Sequence, residues 1–239
     1  MAFFNNYELK KAKSNCPKTP LRGRNFPMDT GSDMKLDRGY LIALEGIDGT
    51  GKTTQGNLLA DYLEQRGLPV VRLREPTQGM WGQKIRRILT EGRGGTTPEE
   101  ELQWFLNDRK EDVEQNIRPA LNTNKLVVID RYYFSTAAYQ GALGFDPVKI
   151  CADNEAFAPR PDRVLIFSGS LETSFERIAK GRDGFSSFEK KDYLQKVQAI
   201  FDSFEGPHIR RIDSDGSVEA VHGQVVTVVD ALLGIGEPR

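Results

Sequence analysis

The nine residues Gly46-Ile47-Asp48-Gly49-Thr50-Gly51-Lys52-Thr53-Thr54 constrain this chain more than any other stretch. They satisfy the pattern G-x-x-x-x-G-K-[ST] and join two unlike segments. Before them runs Tyr40 to Leu44, a short apolar stretch that suits a buried parallel strand. After them Leu58, Leu59, Tyr62 and Leu63 recur at helical spacing until Gly67 stops the pattern. In that setting a glycine loop cradles phosphate. The backbone N–H groups of Gly46, Gly49, Thr50, Gly51, Lys52, Thr53 and Thr54 wrap the anion, and the helix start adds partial positive charge. Lys52 would reach the β- and γ-phosphates of a nucleotide, and the Thr53 hydroxyl would ligate Mg²⁺. Asp48 is the odd member, an acid in a loop built for anions.

Four more strand-like runs follow: Val70–Leu73, Leu126–Ile129, Val164–Phe167 and Ile209–Ile212. Helical patterns lie between them. Ile85, Ile88 and Leu89 mark one. Thr97-Pro98-Glu99-Glu100 starts another with a capping hydroxyl, a proline and acids in the first turn, and it is expected to run to about Leu121. Val221, Val225, Val229 and Leu232 mark the last. Strands alternating with helices predict an α/β chain of the P-loop NTPase kind. It would be a three-layer α/β/α sandwich with a five-stranded parallel sheet and helices on both faces. Residues 38–239 read as a single domain. Residues 1–37 are polar, carry seven Lys or Arg against four acids, and read as a disordered basic extension.

The balance of charge excludes some partners. A net charge of −1 speaks against bulk nucleic-acid binding, and no apolar run approaches the ~20 residues that span a bilayer. Two cysteines, Cys16 and Cys151, make no disulfide framework, so a cytoplasmic setting is expected. GTP chemistry is also disfavoured. Asn124-Lys125-Leu126-Val127 lacks the final acid of the guanine-reading motif and precedes a strand instead of following one.

Asp130-Arg131-Tyr132-Tyr133-Phe134-Ser135-Thr136-Ala137-Ala138-Tyr139-Gln140 narrows the choice further. Asp130 closes the most apolar strand, where ligands of open α/β sheets gather, and its carboxylate could hold Mg²⁺ or its waters. Arg131 beside it could neutralise a phosphate with a bidentate fork. Together with Glu45-Gly46-Ile47-Asp48-Gly49-Thr50-Gly51-Lys52-Thr53-Thr54-Gln55, this stretch resembles the signature of the thymidylate (dTMP) kinase family. Arg74-Glu75-Pro76, Gly82 to Arg86 and Phe105 to Arg109 resemble further family segments, so the likeness runs from about Arg38 to Leu233.

That resemblance implies an enzyme that phosphorylates dTMP to dTDP with ATP and Mg²⁺, as a homodimer. Residue by residue, it implies that Asp48 meets the sugar 3′-hydroxyl, and that Arg131 and Arg86 hold the dTMP phosphate. Phe105 would stack on thymine and Arg109 would bond its carbonyl edge; positions four apart share a helix face. Ser135, Thr136 and Gln140 would contact the nucleoside, Tyr139 would crowd a 2′-hydroxyl, and Glu75 would lie near the transferred phosphate and metal. Two departures stand out. Arg-Glu-Pro-Thr-Gln-Gly replaces the family's R-E-P-G-G-T, and the lid that the resemblance implies, at about 177–189, is short.

A phosphate monoester is already largely dianionic at neutral pH, with a second pKa near ~6, so no general base is needed. Two other classes remain open. A deoxynucleoside kinase would use Glu75 as general base, and a nucleotide sensor would keep the loop without transfer. Some dTMP kinases carry Arg where this chain has Gly49, so the catalytic positive charge is expected from the lid: Arg182, with Lys180 and Arg177 as substitutes. Arg182→Ala should therefore lower the catalytic constant by on the order of 10²–10³ and leave dTMP affinity nearly intact. Steady-state kinetics with dTMP varied would check it, and wild-type turnover would place the charge elsewhere.

Overall fold

The computed structural model describes residues 36–174 and 187–235. The expectation for the N-terminal extension falls almost wholly outside them. So does that for the lid bases Arg177, Lys180 and Arg182. The first strand, β1 (Tyr40–Gly46), leads through the glycine loop into α1 (Lys52–Gln65) and β2 (Val70–Arg74). Helices α2 (Met80–Glu91) and α3 (Pro98–Asp112) follow. A π-helical segment, Val113–Ile117, and α4 (Arg118–Asn122) then lead to β3 (Leu126–Asp130). Next come α5 (Tyr133–Gly141), α6 (Pro147–Glu155) and β4 (Arg163–Ser168). The last elements are α7 (Ser187–Ser203), β5 (Ile209–Asp213) and α8 (Val218–Leu233).

All four strand pairings are parallel, in the order β2-β3-β1-β4-β5. Alternation along β1 divides the core. Leu41 and Ala43 join Val127, Ile129, Val164 and Ile166 on one face, beneath Tyr133 and Phe134 of α5 and Val197 and Phe201 of α7. Ile42 and Leu44 join Val128, Leu165 and Phe167 on the other, beneath Leu59 and Leu63 of α1 and Val221, Val225 and Val229 of α8. The expected five-stranded parallel sheet with helices on both faces is what forms. Among the described residues no helix is long and apolar enough to cross a membrane.

Local chemistry sets the boundaries. Thr97 and Glu100 form the reciprocal cap at the start of α3. The helix expected to reach Leu121 does continue to Asn122, but with a π-helical turn ahead of Pro119, a residue that cannot donate to the helical ladder. Ile85 and Ile88 are buried as their spacing requires, whereas Leu89, one step further round α2, is 55% exposed.

The strand order positions the site. β1 and β3 are neighbours, yet α1 leaves β1 toward one face of the sheet and α5 leaves β3 toward the other. The two connections diverge and open a crevice at the carboxyl ends of these strands. The glycine loop and Asp130-Arg131 are the residues that rim it.

Candidate active site

The loop backbone has little freedom to be anything else. Gly46 has φ +133°, and a Cβ there would lie 2.4 Å from the Phe167 carbonyl oxygen. Gly51 has φ +87° at the N-cap of α1, with no side-chain cap and open space around it. The first turn of the helix therefore offers its N–H groups to the crevice.

Lys52 is buried, and its ammonium donates to the Ile47 carbonyl at 2.6 Å and lies 3.4 Å from Thr50 Oγ1. Burial, and then Arg131 nearby, pull the ammonium down to about 7. An anion in the loop supplies the countercharge that reverses this. Thr53 Oγ1 donates to Asp130 Oδ2 at 2.5 Å, while Asp130 Oδ1 is buried without a protein partner among the described residues. A hydroxyl and an orphaned carboxylate oxygen side by side fit a hard cation. Among the described residues no group of three or more His, Cys, Asp or Glu could hold a metal.

Arg131 links the loop to α5. Its backbone lies at φ +72°, unusual for a side chain of this size, and its N–H donates to Leu44 O at 3.0 Å. The guanidinium donates to Gly46 O at 3.3 Å, Ser135 Oγ at 3.0 Å and Asp48 Oδ1 at 2.7 Å. It also sits over the Tyr139 ring at 5.2 Å. Burial works against its charge, but Tyr139, Asp48, Asp130 and Glu45 outweigh burial and hold it firmly protonated. The Tyr139 hydroxyl accepts the Asp48 N–H at 3.1 Å. One cavity of about 240 Å³ is lined by Asp48, Gly49, Gly51, Lys52, Thr53, Thr54, Arg74, Asp130 and Arg131.

A second cluster lies between α3 and α5. Arg109, fully buried, pairs with Glu75 and donates to Asn154 Oδ1 at 2.6 Å and Thr136 Oγ1 at 3.1 Å. Burial opposes its charge, yet Glu75 prevails and raises it above the ordinary arginine value. Phe105 is half-buried and belongs to neither hydrophobic core. Gln140 Nε2 donates to Glu101 Oε1 at 2.9 Å.

The expected residues thus divide. Asp48, Lys52, Thr53, Asp130, Arg131, Ser135 and Tyr139 gather at the crevice. Phe105, Arg109, Thr136 and Gln140 gather between α3 and α5. Glu75 joins Arg109 and does not line the phosphate cavity; Arg86 donates to the Pro76 carbonyl. The unusual turn also has an explanation. Thr77 anchors itself to α3 through its N–H and hydroxyl, 2.8 and 2.6 Å from the two oxygens of Asp108.

Glu45 received no role from the sequence, although an acid closing an apolar run was the available signal. It is fully buried, accepts the Tyr132 N–H at 2.8 Å and takes the Ser135 hydroxyl on its other oxygen. Ser135 in turn accepts from Arg131, so Glu45 seats the start of α5 and the arginine together. Burial pushes its carboxyl up to about 7, against the pull of Ser135, Arg131, the Tyr132 N–H and Arg109; Lys52 is the other cation near it. A carboxyl raised in the folded state stabilises the fold at low pH and loses that contribution as pH rises through its folded pKa. Glu45→Gln does not titrate. The stability of the natural chain relative to Glu45→Gln should therefore fall between about pH 5 and about pH 8 in urea unfolding, and a pH-independent gap would contradict the assignment.

Comparison with known proteins agrees with this geometry. A family model described as thymidylate kinase matches residues 44–225. A thymidylate kinase of Desulfotalea psychrophila is 45% identical over 201 residues, covering 84% of this chain and 98% of that protein. One from Brachyspira hyodysenteriae is 38% identical over 192 residues, covering 80% and 94%. The crystal structure of thymidylate kinase from Ehrlichia chaffeensis superposes with a TM-score of 0.66 at 28% identity, covering 80% of this chain and 99% of that one. With a glycine loop, an Asp-Arg pair at the switch point and relatives matched over nearly their whole length, this chain belongs to the thymidylate kinase family.

Proposed function

We propose that the crevice aligns ATP and dTMP so that the γ-phosphoryl group passes directly to the dTMP phosphate, giving ADP and dTDP. As a member of its family the chain is a nucleotide kinase that uses ATP. The observation that carries the finer assignment is the shared cavity. The glycine loop, Asp48 included, lines it together with Asp130 and Arg131 from the end of β3. Two phosphate chains meeting there are brought together by one fixed set of charges.

Lys52 and the loop N–H groups hold the donor phosphates. Arg131 shields the acceptor phosphate, and Arg86 assists at its edge. Asp48 accepts from the sugar 3′-hydroxyl, which resolves the oddity of an acid in this loop. Tyr139, bonded to the Asp48 N–H, crowds the 2′ position. Phe105 stacks on thymine, while Arg109, Ser135, Thr136 and Gln140 bond the nucleoside. Thr53 and Asp130 would hold Mg²⁺, which would supply positive charge to offset the charge that develops on the phosphates. Catalysis is positioning and charge neutralisation, with the lid base Arg182 completing the set. Residues 38–239 act as one domain, and the enzyme works in the cytoplasm as a homodimer.

Glu75 weighs against the nucleoside-kinase alternative. A thymidine hydroxyl needs a base, and this carboxylate pairs one oxygen with the buried Arg109 and does not line the loop cavity. Incubation with ATP and Mg²⁺ across dTMP, dUMP, dCMP and thymidine, with products separated by chromatography, tests the proposal. ADP and dTDP should form with dTMP, and thymidine should not turn over. Turnover of thymidine but not dTMP would overturn it, and nucleotide binding without ADP would indicate a sensor.

A further inference from the structure

Two stripes of side chains face each other beside the nucleoside residues. Glu101, Phe105 and Arg109 recur every four residues along α3, and Thr136 and Gln140 do so along α5. Arg109 donates to Thr136 at 3.1 Å, and Gln140 donates to Glu101 at 2.9 Å. These two rungs run antiparallel, with Phe105 between them on the α3 side.

The outer rung has an anchor. Glu101 is only 2% exposed, and Arg93, from the turn between α2 and α3, reaches it with Nε at 2.6 Å from Oε2 and Nη2 at 3.4 Å from Oε1. A carboxylate held by an arginine only accepts hydrogen bonds. Gln140 must therefore turn its NH₂ toward Glu101. Its carbonyl oxygen, in a side chain 1% exposed, is left buried without a partner among the described residues. Arg109 Nε, a donor, is likewise buried and unpartnered. An orphaned acceptor and an orphaned donor flank the Phe105 platform.

We propose that the Arg93–Glu101 pair is a positioning device that locks the Gln140 amide and so makes the site select pyrimidines bearing N3–H. This rests on the assignment of Gln140 and Arg109 to the base of the acceptor nucleotide. Thymine and uracil offer N3–H to the Gln140 oxygen and O4 to Arg109. Cytosine presents a bare N3 and an amino group, so both contacts are reversed. A free glutamine amide could flip to suit cytosine, whereas one tied to an anchored carboxylate cannot. Neither Arg93 nor Glu101 needs to touch the nucleotide.

The test is the ratio of kcat/KM for dTMP to that for dCMP in Glu101→Gln. A glutamine there can offer either an oxygen or an NH₂ group, so the Gln140 amide is no longer held in one sense. The ratio should fall by roughly tenfold to a hundredfold, the scale of a buried polar mismatch, with dTMP losing and dCMP gaining. dUMP, which also carries N3–H, should move with dTMP. A purely structural defect would lower all three substrates together, and an unchanged ratio overturns the proposal. Should Glu101→Gln not fold, Arg93→Gln is read in its place. It should shift the ratio in the same direction, and no shift there overturns the proposal as well. Gln140→Leu separates the two levels. If it leaves the KM for dTMP unchanged, the base assignment itself fails. If it raises that KM while Glu101→Gln leaves the ratio untouched, only the positioning role fails.

Discussion

The site hangs on the way Arg131 ties the end of β3 to the glycine loop. Its N–H bonds to Leu44 in β1, and its guanidinium reaches Gly46, Asp48 and Ser135. Satisfying these partners holds the residue at φ +72°, a conformation that costs a side chain of this kind about 1–3 kcal/mol. The strain persists because strand, loop and helix all fix the same residue. Arg131 thereby joins all three at the rim of the cavity.

Burying this much charge is expensive unless every group is paired. Here the pairing is dense but incomplete. Arg131 is shielded by Asp48, Arg109 by Glu75, and Glu45 is held by a backbone N–H and a hydroxyl. Among the described residues, the buried atoms without protein partners include Asp130 Oδ1, Arg109 Nε and the Gln140 oxygen in the two clusters, and others elsewhere such as Gln55 Oε1, Arg163 Nε and His222 Nδ1. On the proposed assignment, nucleotide and metal would complete the three atoms that belong to the two clusters.

Much of this was legible in the sequence. Strand-like runs at Tyr40–Leu44, Leu126–Ile129 and Val164–Phe167 are apolar throughout because both faces of a parallel sheet are covered, and that pattern marks them clearly. The glycine loop carries its own geometry, since Gly46 and Gly51 adopt backbone angles that other residues avoid. The spacing of Phe105 and Arg109 was sufficient to place them on one face. Relations across the fold were less legible. The 45-to-135 bond, the 93-to-101 anchor and the Thr77–Asp108 clamp link residues whose positions only the tertiary structure sets. Glu75 shows the same limit. Its place after β2 suggests the phosphates, but the buried cation of Arg109 captures it.

The central claim is that Arg131 serves the acceptor phosphate while the loop serves ATP. Arg131→Lys keeps the charge and removes the planar fork. Titration calorimetry with each nucleotide, joined to steady-state kinetics, separates the two sites. The account predicts a loss of on the order of 10²–10³ in kcat/KM for dTMP, with the ATP dissociation constant close to that of the natural chain. A variant that keeps wild-type kcat/KM, or one that loses ATP binding as severely as dTMP turnover, would contradict it.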